Sequence, residues 1–412
     1  MASPLTDIPD HLLAEIFLRL PTPQDLARAS AACVPFRRLA TQASFLRAFR
    51  RLHAPLHLAI LNMDGFLPAL APHPSAPAAR ALALQADFSF SFLPSNRHWM
   101  KVKQDIRDGR VLLGRATGDY GNPVFRELVV CDPLHRQYVL LPPIPDDLAA
   151  SVEHPLTNPF LAPLTEKETE TVVSEETSFK VICLVRGKTK LVAFVFSSSI
   201  GQWQAAASKD WSDLALGSGD LAMMSLFHPY SLRRHYAYGC FYWDWLVIKM
   251  NLLLVLDTNK MEFSITVLPP GEWSTKGVAI VEAGEGGLGM FGLHGENEFA
   301  SNLSYTILRN RGESPSQWMM KKTISLDPGY RYYIKSVTER CLLLMRTGSR
   351  LGSPLEKPLL EFFSMDIKTL QLQRVCAKQC KLTLSETTIY AYFFQTGMYT
   401  NYPPSLLPPR TV

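Results

Sequence analysis

A strand-turn-strand pattern that recurs five times constrains the fold of this chain more than any other feature. In each copy an apolar run ends in an acidic or polar turn, and a second run carrying an aromatic residue or leucine follows after a few polar residues. Successive copies are offset by 65, 60, 52 and 57 residues. The residues that anchor the copies are Asp132, Ser197, Asp257, Arg309 and Asp366. Short runs rich in Val, Leu, Phe, Tyr and Trp between turn residues predict β-strands.

Each anchored run is preceded by another apolar run, and we assign four strand-like segments to each unit. The preceding runs cover residues 109–114, 179–184, 240–243, 289–293 and 341–345. A degenerate period of about 50 to 60 residues with four strands per unit predicts a β-propeller. A β-sandwich or two stacked β-domains is the alternative fold.

Two apolar runs outside the five copies predict how the propeller closes. Residues 56–61 and 389–394 are expected to pair and complete a sixth blade. Such closure removes exposed sheet edges, which would otherwise promote aggregation. Six blades are therefore expected, with seven as the alternative. Between these runs, the Pro- and Ala-rich stretch 62–80 predicts an exposed loop.

The first fifty residues follow a helical spacing instead. Leu12, Ile16 and Leu20 lie at i, i+4 and i+8. Leu13 and Phe17 lie beside them, so the first helix is expected to present a wide apolar stripe.

Residue 22 begins the second helix of this region. Thr22 is suited to the N-cap, Pro23 to the first helical position, and Asp25 completes a capping pattern. The apolar residues expected to face inward on this helix and the next are Leu26, Ala29, Cys33, Phe36, Leu39 and Ala40. A module this small buries too little apolar surface for comfortable stability, so its remaining apolar face calls for a partner helix.

The N-terminal spacing resembles the F-box motif over roughly residues 5 to 50. The matching positions are Ile8, Pro9, Leu12, Ile16, Leu20, Pro21, Asp25, Leu26, Ala29, Cys33, Phe36, Arg37 and Leu39. The family usually has tryptophan where this chain has Phe36, a conservative aromatic change. The alternative is an ordinary helical cap on a larger domain.

The F-box resemblance implies a function. F-box proteins are substrate receptors of cullin-based ubiquitin ligases: the box binds a Skp-type adaptor and the rest of the chain selects the target. The adaptor contacts implied here are Ile8, Pro9, Leu12, Ile16, Leu20, Pro21 and Leu26. Seven arginines against four acidic residues within 1–52 would favour an acidic adaptor.

The C-terminal part resembles the Kelch-like or F-box-associated propeller of plant F-box proteins. The phrase at residues 129–134, followed by 140–143, carries this resemblance. The expected organisation is therefore a multidomain α+β chain, with an all-α F-box module at 1–52 and a substrate-recognising β-propeller at 53–412. The predicted function is that of a non-catalytic substrate receptor of an SCF-type (Skp-cullin-F-box) ligase. The alternatives are a propeller-scaffold enzyme, such as a hydrolase, and an F-box scaffold protein acting outside the ligase.

Composition limits the partners and the compartment. The net charge of +5 is mild, and no dense basic patch with interleaved aromatic residues suggests nucleic-acid binding. No apolar run reaches the roughly 18 residues of a membrane span, and Asp7 and Asp10 do not suit a signal peptide. Seven cysteines without a regular spacing indicate reduced thiols. The expected location is the cytosol or nucleus, and the expected partners are the adaptor, through it the cullin, and a protein target.

No motif in the chain predicts a catalytic, metal or cofactor site. Residues 284–289 satisfy G-x-G-x-x-G, but an apolar strand pattern follows, so a β-turn entering a blade is expected in place of a dinucleotide loop. Cys376 and Cys380 have no second ligand pair nearby, whereas zinc requires about four ligands. Four isolated histidines are expected to be surface or core residues: His98, His228, His235 and His294.

Two clusters suggest binding without assigning it. An acidic run between two blades is expected to be a solvated loop, with a contact to a basic partner as the alternative; it contains Glu166, Glu168, Glu170, Glu175 and Glu176. The densest aromatic cluster is expected mainly to pack between blades; it contains Tyr236, Tyr238, Phe241, Tyr242, Trp243 and Trp245.

Overall fold

The structure is a computed structural model of the 412-residue chain. It describes residues 8–21, 23–53, 57–62, 65–94, 99–115, 127–153, 155–164, 178–214, 233–244, 251–269, 271, 273–284, 286–294, 302–311, 314–338, 340–348, 359–379 and 396–400. The chain divides into two compact units, Met1–Leu56 and His57–Val412. The boundary predicted from the sequence lies between residues 52 and 53.

The first unit is a helical module. Its helices are α1 (Asp10–Leu18), α2 (Pro23–Ser30), α3 (Val34–Ala40) and α4 (Ala43–Leu52). Side chains from all four helices form its core, which contains Leu13, Phe17, Leu26, Leu39, Ala40, Phe45 and Phe49. The Phe17 ring meets Phe36 edge-on at 5.2 Å between centroids and Phe45 at 6.4 Å. These aromatic contacts add specific geometry to a small core.

The second unit is a six-bladed β-propeller, as predicted. Five blades are four-stranded antiparallel sheets, each formed by consecutive strands. Blade 1 contains β3 (Trp99–Arg107), β4 (Arg110–Arg115), β5 (Leu128–Asp132) and β6 (Gln137–Leu140). Blade 2 contains β7 (Leu156–Ala162), β8 (Lys180–Arg186), β9 (Lys190–Ser197) and β10 (Gln202–Asp210), followed by a 3₁₀ helix at Trp211–Leu214.

The next three blades repeat this arrangement. Blade 3 contains β11 (Arg233–Ala237), β12 (Cys240–Asp244), β13 (Leu252–Asp257) and β14 (Glu262–Val267). Blade 4 contains β15 (Trp273–Glu282), β16 (Leu288–His294), β17 (Asn302–Arg311) and β18 (Ser314–Ser325). Blade 5 contains β19 (Tyr330–Val337), β20 (Cys341–Gly348), β21 (Leu359–Asp366) and β22 (Leu372–Gln379). The anchored runs of the sequence are the third strands of these blades.

The sixth blade joins the two ends of the propeller unit. β1 (His57–Asn62) pairs with β2 (Gly65–Pro68) on one side and with β23 (Gly397–Thr400) on the other. The predicted strand at 56–61 is therefore confirmed within a residue. The predicted partner at 389–394 lies outside the described residues, and the described closing strand is β23.

The exposed loop predicted at 62–80 is wrong over much of its length. The structure contains β2 there and the beginning of helix α5 (Ala76–Gln85), which contacts β1 and β2. The physical reason is that Pro77 lies in the first turn of α5, where proline needs no donor, and alanines and leucines favour the helix after it. Ala79 and Leu82 of α5 are buried. The short α6 (Asp146–Ala150) follows blade 1.

The innermost strand of every blade lies at the centre of the ring. β3, β7, β11, β15 and β19 each form one edge of their sheet, and β23 does so in the sixth blade. Contacts link β23 to β3, β3 to β7, β11 to β15, β15 to β19 and β19 to β23. These inner strands surround the central channel of the propeller.

The outer hairpins share one turn geometry, which explains the recurring polar anchor. Asp257 accepts hydrogen bonds from the backbone of Asn259 and Lys260 at 2.9 and 3.1 Å. Four residues after the anchor, the backbone turns to positive φ, as at Met261 (54°). Asp132 and Asp366 bond two turn amides in the same way, and positive φ follows at Arg136 and Leu370. The anchor aspartates therefore cap hairpin turns.

Candidate functional site

The apolar stripe predicted on helix α1 is buried on one side and exposed on the other. Leu13 and Phe17 are buried in the core of the module. Leu12 and Ile16, one turn apart, remain 44% and 50% exposed. Two large aliphatic side chains exposed on one face of a helix form a small apolar surface that a partner helix can cover.

The structure places the other predicted contact residues at different depths. Pro9 and Pro21 are exposed at the two ends of the α1 segment. Ile8 and Leu20 are half-buried and pack against the core. Leu26 is only 6% exposed and packs inside the module, which agrees with the inward position predicted from its spacing and differs from the adaptor contact implied by the resemblance. It supports the exposed residues from beneath and does not present a surface to a partner.

Helix α3 adds an exposed apolar residue that the sequence did not single out. Val34, its first residue, is 80% exposed. The neighbouring Arg37 and Arg38 are exposed, and Arg38 lies 3.5 Å from Asp10 of α1. The sequence contained one signal for it: an apolar residue directly before Pro35, at a helix start and outside the apolar spacing. The module therefore presents apolar side chains beside basic ones.

In the propeller, one arginine connects three blades at the channel. Arg234 of β11 reaches Asp105 of β3, with Nη2 2.6 Å from Oδ1. The same guanidinium donates to Asn158 of β7 at 3.4 Å and lies 4.3 Å above the Phe160 ring. Asp105 also accepts the Leu161 amide at 2.8 Å. Burial lowers the pKa of Arg234, and Asp105 opposes that shift.

A second guanidinium lies beside this ion pair. Arg107, the last residue of β3, holds its Cζ 4.9 Å from the Tyr236 ring centroid. Arg107 and Arg234 both have their Cζ 6.0 Å from the centroid of Phe241, so the two cations share one aromatic neighbour. Sequence spacing could not reveal this cluster, because its members come from strands more than a hundred residues apart.

Asp244 at the end of β12 is fully buried and bonded on two sides. Arg233 donates to both of its carboxylate oxygens, at 3.1 and 3.2 Å, and His235 Nε2 lies 3.3 Å from Oδ2. Burial raises the pKa of this carboxyl, but Arg233 and His235 outweigh burial and hold it below its usual range. His235 is buried, which agrees with the prediction of a core residue.

Where the structure describes them, the remaining motifs lie in turns or in side-chain hydrogen bonds of the propeller. Gly284, Gly286 and Gly287 lie in the turn from β15 to β16, with positive φ at Gly284 and Gly286, and Leu288 and Gly289 begin β16, in agreement with the predicted turn. His294 lies 2.6 Å from the Ser304 hydroxyl. His98, His228, Cys380 and the acidic run at 166–176 lie outside the described residues. Over the described ranges, no group of three or more His, Cys, Asp or Glu side chains is placed to hold a metal ion.

The aromatic cluster packs mainly between blades, as expected. Phe241 and Trp243 belong to the core shared by blades 2 and 3, and Tyr242 to the core shared with blade 4. Tyr238 is the exposed member, and Trp245 lies outside the described residues. In the part of the chain that the structure describes, no helix is long and apolar enough to cross a membrane.

Comparison with known families identifies the helical module. Residues 5–51 match the F-box-like family model. The chain therefore carries an F-box-like domain at its N-terminus, followed by a six-bladed β-propeller. The comparison with curated proteins found no match.

Solved structures similar to the chain have diverse activities. An oligogalacturonate lyase in complex with manganese is 13% identical over 70% of this chain and 69% of that chain, with a TM-score of 0.32. The periplasmic gluconolactonase PpgL of Pseudomonas aeruginosa is 10% identical over 70% and 73%, with a TM-score of 0.35. The WD40 domain of SCAP from fission yeast is 11% identical over 69% and 76%, with a TM-score of 0.29. Similarity at this level carries no information about activity or partners.

Proposed function

We propose that this protein is the substrate receptor of an SCF-type ubiquitin ligase. In this role the F-box-like module binds a Skp-type adaptor, and through it the cullin, while the propeller holds a protein target. The observation that carries the proposal is the match of residues 5–51 to the F-box-like model, together with the exposed pair Leu12 and Ile16 above a completed core.

The chemistry of the module supports adaptor binding. The exposed apolar pair would lose its contact with water against a partner helix, and burial of an aliphatic side chain contributes about 1.5–3 kcal/mol. Pro9, Pro21 and Val34 are further exposed apolar residues of the module, and Arg37 and Arg38 would favour an acidic partner. Ile8 and Leu20 are included at its edge, whereas Leu26 acts through the core.

A receptor of this kind needs no catalytic residue of its own. It accelerates ubiquitin transfer by holding the target near the charged enzyme, which converts a bimolecular encounter into a local one. We therefore infer a non-catalytic role, in the cytosol or nucleus, and a propeller related to the Kelch-like or F-box-associated domains of plant proteins. The propeller scaffold enzyme remains the alternative activity, and a scaffold role outside the ligase the alternative assembly.

The test is co-purification of the full chain with a Skp-type adaptor and cullin. The double substitution Leu12→Asp, Ile16→Asp places two charges on the apolar surface without entering the core. Burying an unpaired charge costs several kcal/mol, so adaptor affinity should fall more than about a hundredfold, since each ~1.4 kcal/mol is tenfold. Leu84→Asp is the matched control, because Leu84 is an exposed leucine on α5 of the propeller unit.

The outcomes separate the alternatives. Loss of adaptor in the double variant, with the control unchanged and circular dichroism unaltered, supports the receptor. Adaptor without cullin would favour the scaffold protein acting outside the ligase. A wild-type chain that binds no adaptor would refute the proposal.

A further inference from the structure

The charge of the Arg107 cluster is not balanced within the described part of the propeller. Arg107 and Arg234 bring two positive charges, and Asp105 bonds Arg234 at 2.6 Å. Arg107 has neither an ion pair nor a side-chain hydrogen bond to any described residue; its contacts are the rings of Tyr236 and Phe241. One cation is thus left without an anion beside a second guanidinium.

The aromatic contacts of Arg107 leave its hydrogen-bond donors for a ligand. A guanidinium over the face of a tyrosine ring is attracted by the electrostatics of the ring, and this contact does not use its five N–H donors in side-chain hydrogen bonds. Arg107 is half-buried, so an anion binding there would be partly shielded from water. A charge-assisted hydrogen bond in such surroundings is stronger than on an open surface.

The cluster lies at one end of the channel. Arg107 directly precedes the β3–β4 turn, where Asp108 and Gly109 have positive φ. The β11–β12 turn at Tyr238 and Gly239 has the same form, and Tyr236 lies just before it. Tyr399 at the end of β23 donates to the Gly109 carbonyl at 2.7 Å, so these strand ends share one face of the ring. A ligand reaching that face can contact Arg107.

We propose that Arg107, held by Tyr236 and flanked by Arg234, binds a carboxylate of an acidic peptide segment at this end of the propeller channel. The inference rests on the proposed function and deepens it, because it names the chemistry of the target that the receptor selects. A peptide segment suits the site better than a single free anion, since Arg107 and Arg234 bring two neighbouring cations against the one carboxylate of Asp105. Successive acidic residues can interact with both cations.

The test measures binding of a fluorescein-labelled peptide of alternating glutamate and glycine to the full chain by fluorescence anisotropy. Wild type should bind the glutamate peptide, and this binding should weaken with added salt. It should not bind the peptide that has glutamine in place of glutamate. Arg107→Gln should weaken binding about tenfold or more, the loss typical of one charge-assisted hydrogen bond. The affinity of Arg107→Lys should lie between those of wild type and Arg107→Gln, because lysine keeps the charge but lacks the fork of N–H donors.

Arg136→Gln is the matched control. Arg136 is an exposed arginine on the outer turn of the same blade, so its loss removes the same charge away from the channel. Binding should change less than about twofold there, as expected for a screened, distant charge. Thermal unfolding of each variant verifies that the propeller stays folded.

Several results would overturn the inference. These are no binding of the glutamate peptide, equal binding of the glutamine peptide, an equal loss in Arg136→Gln, or tighter binding of inorganic phosphate or a single-stranded oligonucleotide. Adaptor binding is measured on the same variants. Retained adaptor with no peptide binding would reject this site alone, whereas loss of adaptor binding by wild type would reject the receptor function.

Discussion

At the scale of single residues, each polar anchor of the propeller and the residue four positions later together determine the turn of an outer hairpin. Ser197 and Gly201 close the β9–β10 hairpin as Asp257 and Met261 close the β13–β14 hairpin, with φ of 76° and 54° at the fourth position. Glycine occupies this left-handed conformation without strain, whereas a side chain costs roughly 1–2 kcal/mol there. The two hairpins therefore have the same backbone geometry, but the backbone strain is smaller in the hairpin with glycine.

This difference in strain predicts that adding a side chain at the fourth position and removing one have different effects on stability. Gly201→Ala should destabilise the propeller by about 1 kcal/mol, because the new Cβ meets no neighbour within 4 Å and only the backbone is strained. Arg136→Gly, at the same position of the β5–β6 hairpin and on an exposed side chain, should leave stability unchanged or raise it by less than about 1 kcal/mol, since relief of strain offsets added freedom of the unfolded chain. Urea unfolding followed by tryptophan fluorescence measures both. A larger loss for Arg136→Gly than for Gly201→Ala would contradict the account.

At the scale of elements, the sequence predicted the third strands best and the inner strands least. The third strands are continuous apolar runs with a polar anchor, so their composition alone marks them. β3 and β11 instead carry charged residues, and one of their ion pairs joins two blades: Arg234 pairs with Asp105, 129 residues earlier. No local pattern shows such a pair.

The same limit applies to the surface of the module. Helical spacing placed Leu12, Ile16 and Leu13 on one broad stripe, but the spacing could not decide which part the other helices cover. That depended on α3 and α4, whose Leu39, Phe45 and Phe49 pack on Leu13 and Phe17. Leu26 was expected inward from its spacing, and only the F-box resemblance made it an adaptor contact. Motif matching located the module, and packing decided which of its residues are exposed.

The closing strand β23 allows a test of how much ring closure contributes to the stability of the propeller. Tyr399 is buried and donates from its hydroxyl to the Gly109 carbonyl of blade 1 at 2.7 Å. Tyr399→Phe keeps the ring contacts but leaves that carbonyl without this donor, so stability should fall by about 1–3 kcal/mol. Tyr138→Phe, on the exposed outer strand β6, is the control and should change stability by less than about 0.5 kcal/mol. Equal denaturation midpoints for Tyr399→Phe and wild type would show that this bond does not support closure.

At the scale of the whole molecule, the two units can be followed separately. All seven tryptophans lie after residue 56, so tryptophan fluorescence reports only on the propeller. The apolar surface of the module and the cationic cluster of the propeller belong to different units. Substitutions in one should therefore leave the binding function of the other intact, which is what a receptor with separate adaptor and target sites requires.

The propeller should lose stability on mild acidification because of histidine at its closure. Burial, and then the charge of His73, lower the pKa of His57 from 6.5 to about 4, with Asp366 opposing the shift. Burial also lowers the pKa of His73. Between about pH 6.5 and about pH 4 the unfolded chain binds more protons at His57 than the folded chain does, so stability falls as pH falls. The pKa values of Asp244 and Asp366 are lowered, so their contribution stays until about pH 4 and is lost below it.

The measurement is the urea midpoint from tryptophan fluorescence between about pH 7 and about pH 4.5, the range in which histidine titrates. Wild type should show a midpoint that decreases steadily toward the acidic end. His57→Gln removes the titrating group, so its midpoint should decrease less, whatever its value at neutral pH. His11→Gln, at an exposed histidine of α1, should follow wild type. A His57→Gln curve parallel to wild type would assign the acid sensitivity to other groups, because only the slope with pH reports on protons bound at this position.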